Sequence, residues 1–96
     1  MFMQIIQFES NKPEAELLTT AQERLPSFQK LPGLVQKYYV KLDGEKGYAG
    51  VYIWDSKESM LAFRQTELAA TIPQVYGVKA PPNVTSGDVF MALRDR

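Results

Sequence analysis

The run Tyr48–Trp54, YAGVYIW, is apolar or aromatic at nearly every position before Asp55, and a second run of the same kind, LVQKYYVKL, stands just upstream across DGEKG. Two such segments joined by a Gly-rich turn read as an antiparallel hairpin, with Asp43, Gly44, Glu45 and Gly47 serving the turn. Strand side chains alternate between faces, so Ala49, Val51 and Ile53 share one side and Tyr48, Gly50, Tyr52 and Trp54 the other. The small aliphatic side suits close packing by helices. The aromatic side, with Tyr38 and Tyr39 contributing from the preceding strand, is then expected to lie opposite the helices. Left in water it would exceed the apolar patch a soluble monomer usually carries. A second copy of the chain, packed sheet to sheet about a two-fold axis, is the economical cover and would enclose a cavity lined by Tyr and Trp. The plainer alternative is that these rings only pack an interface, since large aromatics dominate interfaces as well as pockets.

The remaining segments fit around this hairpin. Residues 2–8 form a first strand, bounded by ESNKP. Asn11 is a candidate cap and Pro13 suits a first helical turn. Leu17, Leu18, Ala21, Leu25 and Phe28 then recur at helical spacing to about residue 29, with Pro26 expected to bend or tighten the end. KLPGL breaks the chain before the second strand. DSKESMLAFRQTELAATI reads as one second helix, capped by Asp55 or Ser56, with Glu58 placed as in a capping box. A turn-rich linker follows, holding a short helical turn near IPQVYG, and DVFMALR reads as the last strand. The order β-α-β, β-α-β with right-handed crossovers gives an α+β ferredoxin-like sandwich: a four-stranded antiparallel sheet with both helices on one face. At 96 residues and 45% hydrophobic content, residues 1–96 are expected to form a single domain.

Composition removes several function classes. Eleven basic residues balance eleven acidic ones without a block of either sign, so no nucleic-acid or polybasic membrane footprint is present. Cysteine is absent, which excludes disulfides, thiolate nucleophiles and Cys-ligated metals and suits a reducing compartment. Histidine is absent too, removing the usual general base, the commonest metal ligand and the proximal haem ligand. MFMQIIQFES has neither a basic leader nor the apolar length of a membrane span, so a soluble cytoplasmic protein is expected. The carboxylates are accounted for by caps and turns, and none forms an acid/base dyad.

LPGLVQKYY, YAGVYIWDSKESMLAF and YGV, taken in order and spacing, resemble the dimeric α/β-barrel superfamily of small antibiotic-biosynthesis-type monooxygenases, most closely its YdhR-like branch. The resemblance spans nearly the whole chain. It implies a homodimer and a cofactor-free oxygenase acting on aromatic phenols such as anthrones, with no metal and no cofactor. In such chemistry a deprotonated substrate passes electrons to dioxygen while the protein binds, orients and stabilises the anion in a dry cavity. A related branch degrades haem and also carries a Trp at the end of strand three, matching Trp54, but its iron-binding histidine falls where this chain has Arg64 and Gln65.

Candidate residues follow from both readings. Trp54 and Tyr52 are expected as flat amphipathic walls of the pocket. Lys37 stands among apolar strand residues, with Tyr39 two positions on; as a cation it would hold a phenolate or enolate, and desolvated it would act as a base. A snorkelling surface lysine is the alternative. Gln4 and Gln7 lie on opposite faces of the first strand, so one of them, taken as Gln7, could hold a substrate carbonyl. Arg64 is a substrate-binding or salt-bridging candidate and Tyr76 a cap over the cavity mouth. Catalytic roles are thus assigned to Lys37 and Trp54, and binding roles to Tyr39, Tyr52, Gln7, Arg64 and Tyr76. The expected partners are a small aromatic molecule and dioxygen, neither nucleic acid nor membrane. Two other functions use the same groups: a non-catalytic ligand-binding or stress-response barrel, and a cyclase or decarboxylase of polyketide-like substrates.

Overall fold

Strand β1 (Phe2–Phe8) runs through the middle of the sheet in the computed structural model, which describes residues 1–44 and 47–94. Helix α1 (Glu14–Gln29) follows, then the hairpin of β2 (Leu34–Lys41) and β3 (Tyr48–Trp54). Three helical pieces, α2 (Lys57–Arg64), α3 (Glu67–Ala70) and α4 (Ile72–Val75), lead to β4 (Asn83–Asp88). The order across the sheet is β2-β3-β1-β4 with every neighbouring pair antiparallel, the expected ferredoxin-like α+β arrangement. Glu45 lies outside the described residues, and the hairpin closes beside it through the Leu42 N–H bond to the Gly47 carbonyl.

The side-chain alternation holds, but the two faces are exchanged relative to the sequence expectation. Phe2, Tyr52 and Trp54 pack against Phe28 of α1 and Met60 and Phe63 of α2, so the aromatic side of β3 faces the helices. Trp54 is completely buried, stacked on Tyr52 at an interplanar angle of 2° and 5.3 Å from the Phe63 ring. The helices bring Phe28, Met60 and Phe63, and rings packed against Tyr52 and Trp54 bury more apolar area there than Ala49, Val51 and Ile53 would. In register, Met3, Ile5, Tyr38 and Val40 therefore share the uncovered face with those three residues. Tyr39 lies on the helix side and Tyr38, its neighbour, on the open side.

Local boundaries also depart from expectation. Asn11 does not cap α1; the cap position is Pro13, itself extended, whose carbonyl accepts from the Glu16 and Leu17 N–H groups. As expected, α1 runs to Gln29 with Pro26 in its last turn. Ser56 caps α2 by accepting from the Ser59 N–H, and the Asp55–Glu58 capping box does not form because the third residue after this cap is Ser59, whose hydroxyl donates to Asp55 at 2.6 Å. The second helix is interrupted at Thr66, whose hydroxyl donates to the Phe63 carbonyl and accepts from the Ala69 N–H. A side chain that ends one helix and starts the next breaks the run. The last strand is NVTSGD, not DVFMALR. Phe2 pairs with Asp88 and the Met1 carbonyl takes the Val89 N–H, where the β1–β4 ladder ends; Phe90 is 98% exposed.

Candidate active site

Between α1 and the helix-facing side of β1, β3 and β2 lies a cavity of about 340 Å³. Its walls are apolar: Ile6 and Phe8 from β1, Leu17 and Ala21 from α1, and Ile72 and Val78 from the segment after α3. Leu18 and Leu25, which the helical stripe had assigned to the core, are 58% and 42% exposed because they line the open side of this space. Glu14 and Lys41 form an ion pair of 2.8 Å at the rim.

Gly50 makes part of the room. Its backbone is not in the left-handed region, so the local conformation does not call for glycine. A Cβ there would come 3.1 Å from Tyr52 Cε1 and 3.5 Å from Lys37 Cε. A glycine in mid-strand loses packing, and such positions commonly mark the close approach of a ligand.

Polar groups gather at one corner. Lys37 lines the cavity and its Nζ lies over three rings, 3.7 Å from the centroid of Phe28, 4.4 Å from Tyr39 and 4.6 Å from Tyr52. Among the described residues no carboxylate pairs with it. Burial pulls the ammonium down to about 7, and the charge of Arg24 adds to the fall. The ring faces act in the other sense, stabilising the cation when it is present. Tyr39, Tyr52 and Tyr76 all titrate above the usual phenol range, chiefly through burial, Tyr39 at about 12. All three phenols are therefore protonated donors at neutral pH. The Tyr76 hydroxyl is buried without a hydrogen-bond partner, and Tyr76 lines the same cavity.

Lys37, Tyr39, Tyr52 and Tyr76 are thus brought together. The other candidates are elsewhere. Trp54 belongs to the adjoining aromatic core, its indole N–H buried without a partner. Gln7 pairs in register with Ala49 on the open face, and Gln4 is turned toward the helices, buried, with an unpartnered side-chain oxygen, but outside the cavity walls. Arg64 is exposed in the last turn of α2. Two residues that sequence reasoning passed over complete the corner: Phe28, read only as core, and Arg24, which donates to the Leu68 carbonyl at 2.7 Å and the Thr71 hydroxyl at 3.0 Å. Arg24 continues the stripe Leu17, Ala21, Phe28 at helical spacing, and a cation on that stripe was the available signal. Among the described residues no three acidic side chains converge as metal ligands would.

No protein-family model matches the chain, and no curated protein matches it either. Solved structures do. A Bordetella bronchiseptica protein of antibiotic-biosynthesis-monooxygenase type matches at TM-score 0.78 and 17% identity, over 94% of this chain and 97% of that one. SnoaB of Streptomyces nogalater, a cofactor-independent oxygenase, matches at 0.77 and 12%, over 98% and 97%. A monooxygenase from the gene ActVA-Orf6 of Streptomyces coelicolor, in complex with the ligand nanaomycin D, matches at 0.70 and 15%, over 99% and 92%. The likeness is one of fold: this chain has the ferredoxin-like fold of antibiotic-biosynthesis-type monooxygenases. Among the described residues no helix is long and apolar enough to cross a membrane.

Proposed function

We propose that the protein is a cofactor-independent monooxygenase of a small, planar phenol, quinol or anthrone, working as a cytoplasmic homodimer of the YdhR-like kind. The observation that carries the reading is Lys37: an amine held over three rings in an apolar cavity, with its proton affinity brought to about 7. A base of that strength is matched to neutral pH. Neutral Lys37 takes a proton from the substrate, and the ammonium so formed stays beside the new anion in a site that water screens poorly. The phenols of Tyr39 and Tyr76 supply hydrogen bonds to the same oxygen. For an anthrone the carbanion delivers its electrons to dioxygen: a C–O bond forms, the O–O bond breaks, one oxygen stays as the new carbonyl, and the other leaves as water with the two methylene hydrogens.

The dimer is supported by the open sheet face, where Met3, Ile5, Val40, Val51 and Ile53 form an aliphatic surface joined by Tyr38, with no cover from helices among the described residues. A second copy presenting the same face is the simplest partner.

Dissolved-oxygen consumption by metal-free protein against anthrones and hydroquinones tests the chemistry, with Lys37→Met and Tyr76→Phe beside wild type. Uptake that rises with pH through about 7 and drops at least a hundredfold in Lys37→Met is expected. Substrate turnover without oxygen, or binding with no turnover, would replace this reading with the cyclase or the ligand-binding function.

A further inference from the structure

We propose that Lys37 is also a covalent-capture site, whose amine condenses with the carbonyl of an apolar aryl aldehyde or ketone held in the cavity and retains it as an imine. This goes beyond the oxygenase reading and does not depend on it. Three features of the corner meet the needs of that reaction.

Attack requires a neutral amine with its lone pair facing an apolar carbonyl compound. Lys37 is the lysine that lines the apolar cavity by its walls rather than at its rim; Lys41 at the rim is tied to Glu14, and Lys12 donates to the Val75 carbonyl at 2.9 Å. The charge that acts on Lys37 is that of Arg24 from α1; the rings of Tyr39, from its own strand, and Tyr52, from β3, lie under its Nζ, and Tyr76 beyond α4 lines the same cavity. None of them is a carboxylate that would hold the ammonium form in place. Dehydration next requires a proton donor. The Nζ lone pair forms the C–N bond, the carbonyl oxygen takes up a proton, and that oxygen leaves as water with both hydrogens that the amine has lost. Tyr76, with its buried and unpartnered hydroxyl, and Tyr39 are protonated phenols on the cavity wall able to relay those protons. Finally, the protonated imine is a cation centred on the same nitrogen. The faces of Phe28, Tyr39 and Tyr52 already surround that point at 3.7–4.6 Å and stabilise a cation there whether it is ammonium or iminium. The bare backbone of Gly50 beside Lys37 Cε leaves room for the ring that the new bond brings in.

The test treats the whole protein under nitrogen at pH 7 with 2-naphthaldehyde and sodium cyanoborohydride, which reduces an imine to a stable secondary amine, and maps the modified lysines by mass spectrometry. Lys37 is expected to carry the naphthylmethyl group in at least tenfold excess over each of the other six lysines. Naphthalene, which fills the cavity without reacting, should suppress that labelling and leave the surface lysines unchanged. Labelling spread over exposed Lys30, Lys57 and Lys79 with Lys37 untouched would overturn the proposal, as would glyoxylate labelling Lys37 as well as the naphthyl aldehyde does. Because no oxygen is present, this result stands apart from the fate of the oxygenase reading.

Discussion

Both faces of the sheet are largely apolar, but one is built of rings and the other of aliphatic side chains. On the helix side, Phe2, Tyr52, Trp54, Phe28 and Phe63 interlock ring against ring, then give way within one strand to a cavity at Gly50 and Lys37. On the open side, Met3, Ile5, Val51 and Ile53 form an even aliphatic layer without rings or cavity except for Tyr38. Rings with polar edges suit a surface that must both pack and recognise a ligand, whereas flexible and branched aliphatics suit one that need only exclude water. The first face holds the ring core and the candidate site; the second, on the proposed reading, is the surface for association.

The sharpest way to break this comparison is at Trp54. Trp54→Ala removes the largest fully buried side chain, and a loss of about 3–5 kcal/mol in urea unfolding is expected. Val51→Lys should leave the monomer folded but weaken self-association by roughly two orders of magnitude, the cost of a charge buried at an interface core, as read by analytical ultracentrifugation. A stable Val51→Lys dimer would sink the division of labour between faces. The next effect concerns pH. Lys37 releases its proton near 7 in the folded protein and near 10.5 when unfolded. Between those values the unfolded chain binds more protons, so raising pH favours the folded state. Chemical denaturation should show wild-type stability climbing relative to Lys37→Met from pH 7 toward 10, by at most about 1.4 kcal/mol per pH unit. The smallest effect is at the rim. Glu14→Gln breaks an ion pair between side chains that are 58% and 69% exposed, and no measurable change in Tm is expected.

The hairpin, the stripe of α1 and the β-α-β order are legible because each rests on a local period. Which sheet face the helices cover is not local. Alternation sorts Tyr52 from Val51 but is silent on which of the two meets Phe28, and the preference for small residues under helices misleads where the helices bring rings of their own, Phe28 and Phe63, to pack against. The last strand is hidden for a related reason: DVFMALR is the better strand by composition, yet pairing is decided by tertiary register, and NVTSGD is the segment alongside Phe2–Gln7 of β1. Lys37 and Tyr39 are marked by their shared face on the second strand together with the family resemblance, while Arg24 is obscured by Leu25 beside it, an apolar member of the same helical repeat.

The split of the second helix has a kinetic consequence. One wall of the cavity is the sheet, held by continuous ladders. The wall that contains Ile72 and Tyr76 is fastened instead by separate polar contacts, from Arg24 to Leu68 and Thr71, from Lys12 to Val75 and from the Ser10 hydroxyl to the Tyr76 carbonyl. Such fasteners exchange with water one at a time, so this side can yield without disturbing the ring cage opposite. On the proposed function, variants in α3 and α4 are expected to change how long a ligand stays while leaving untouched the amine it meets.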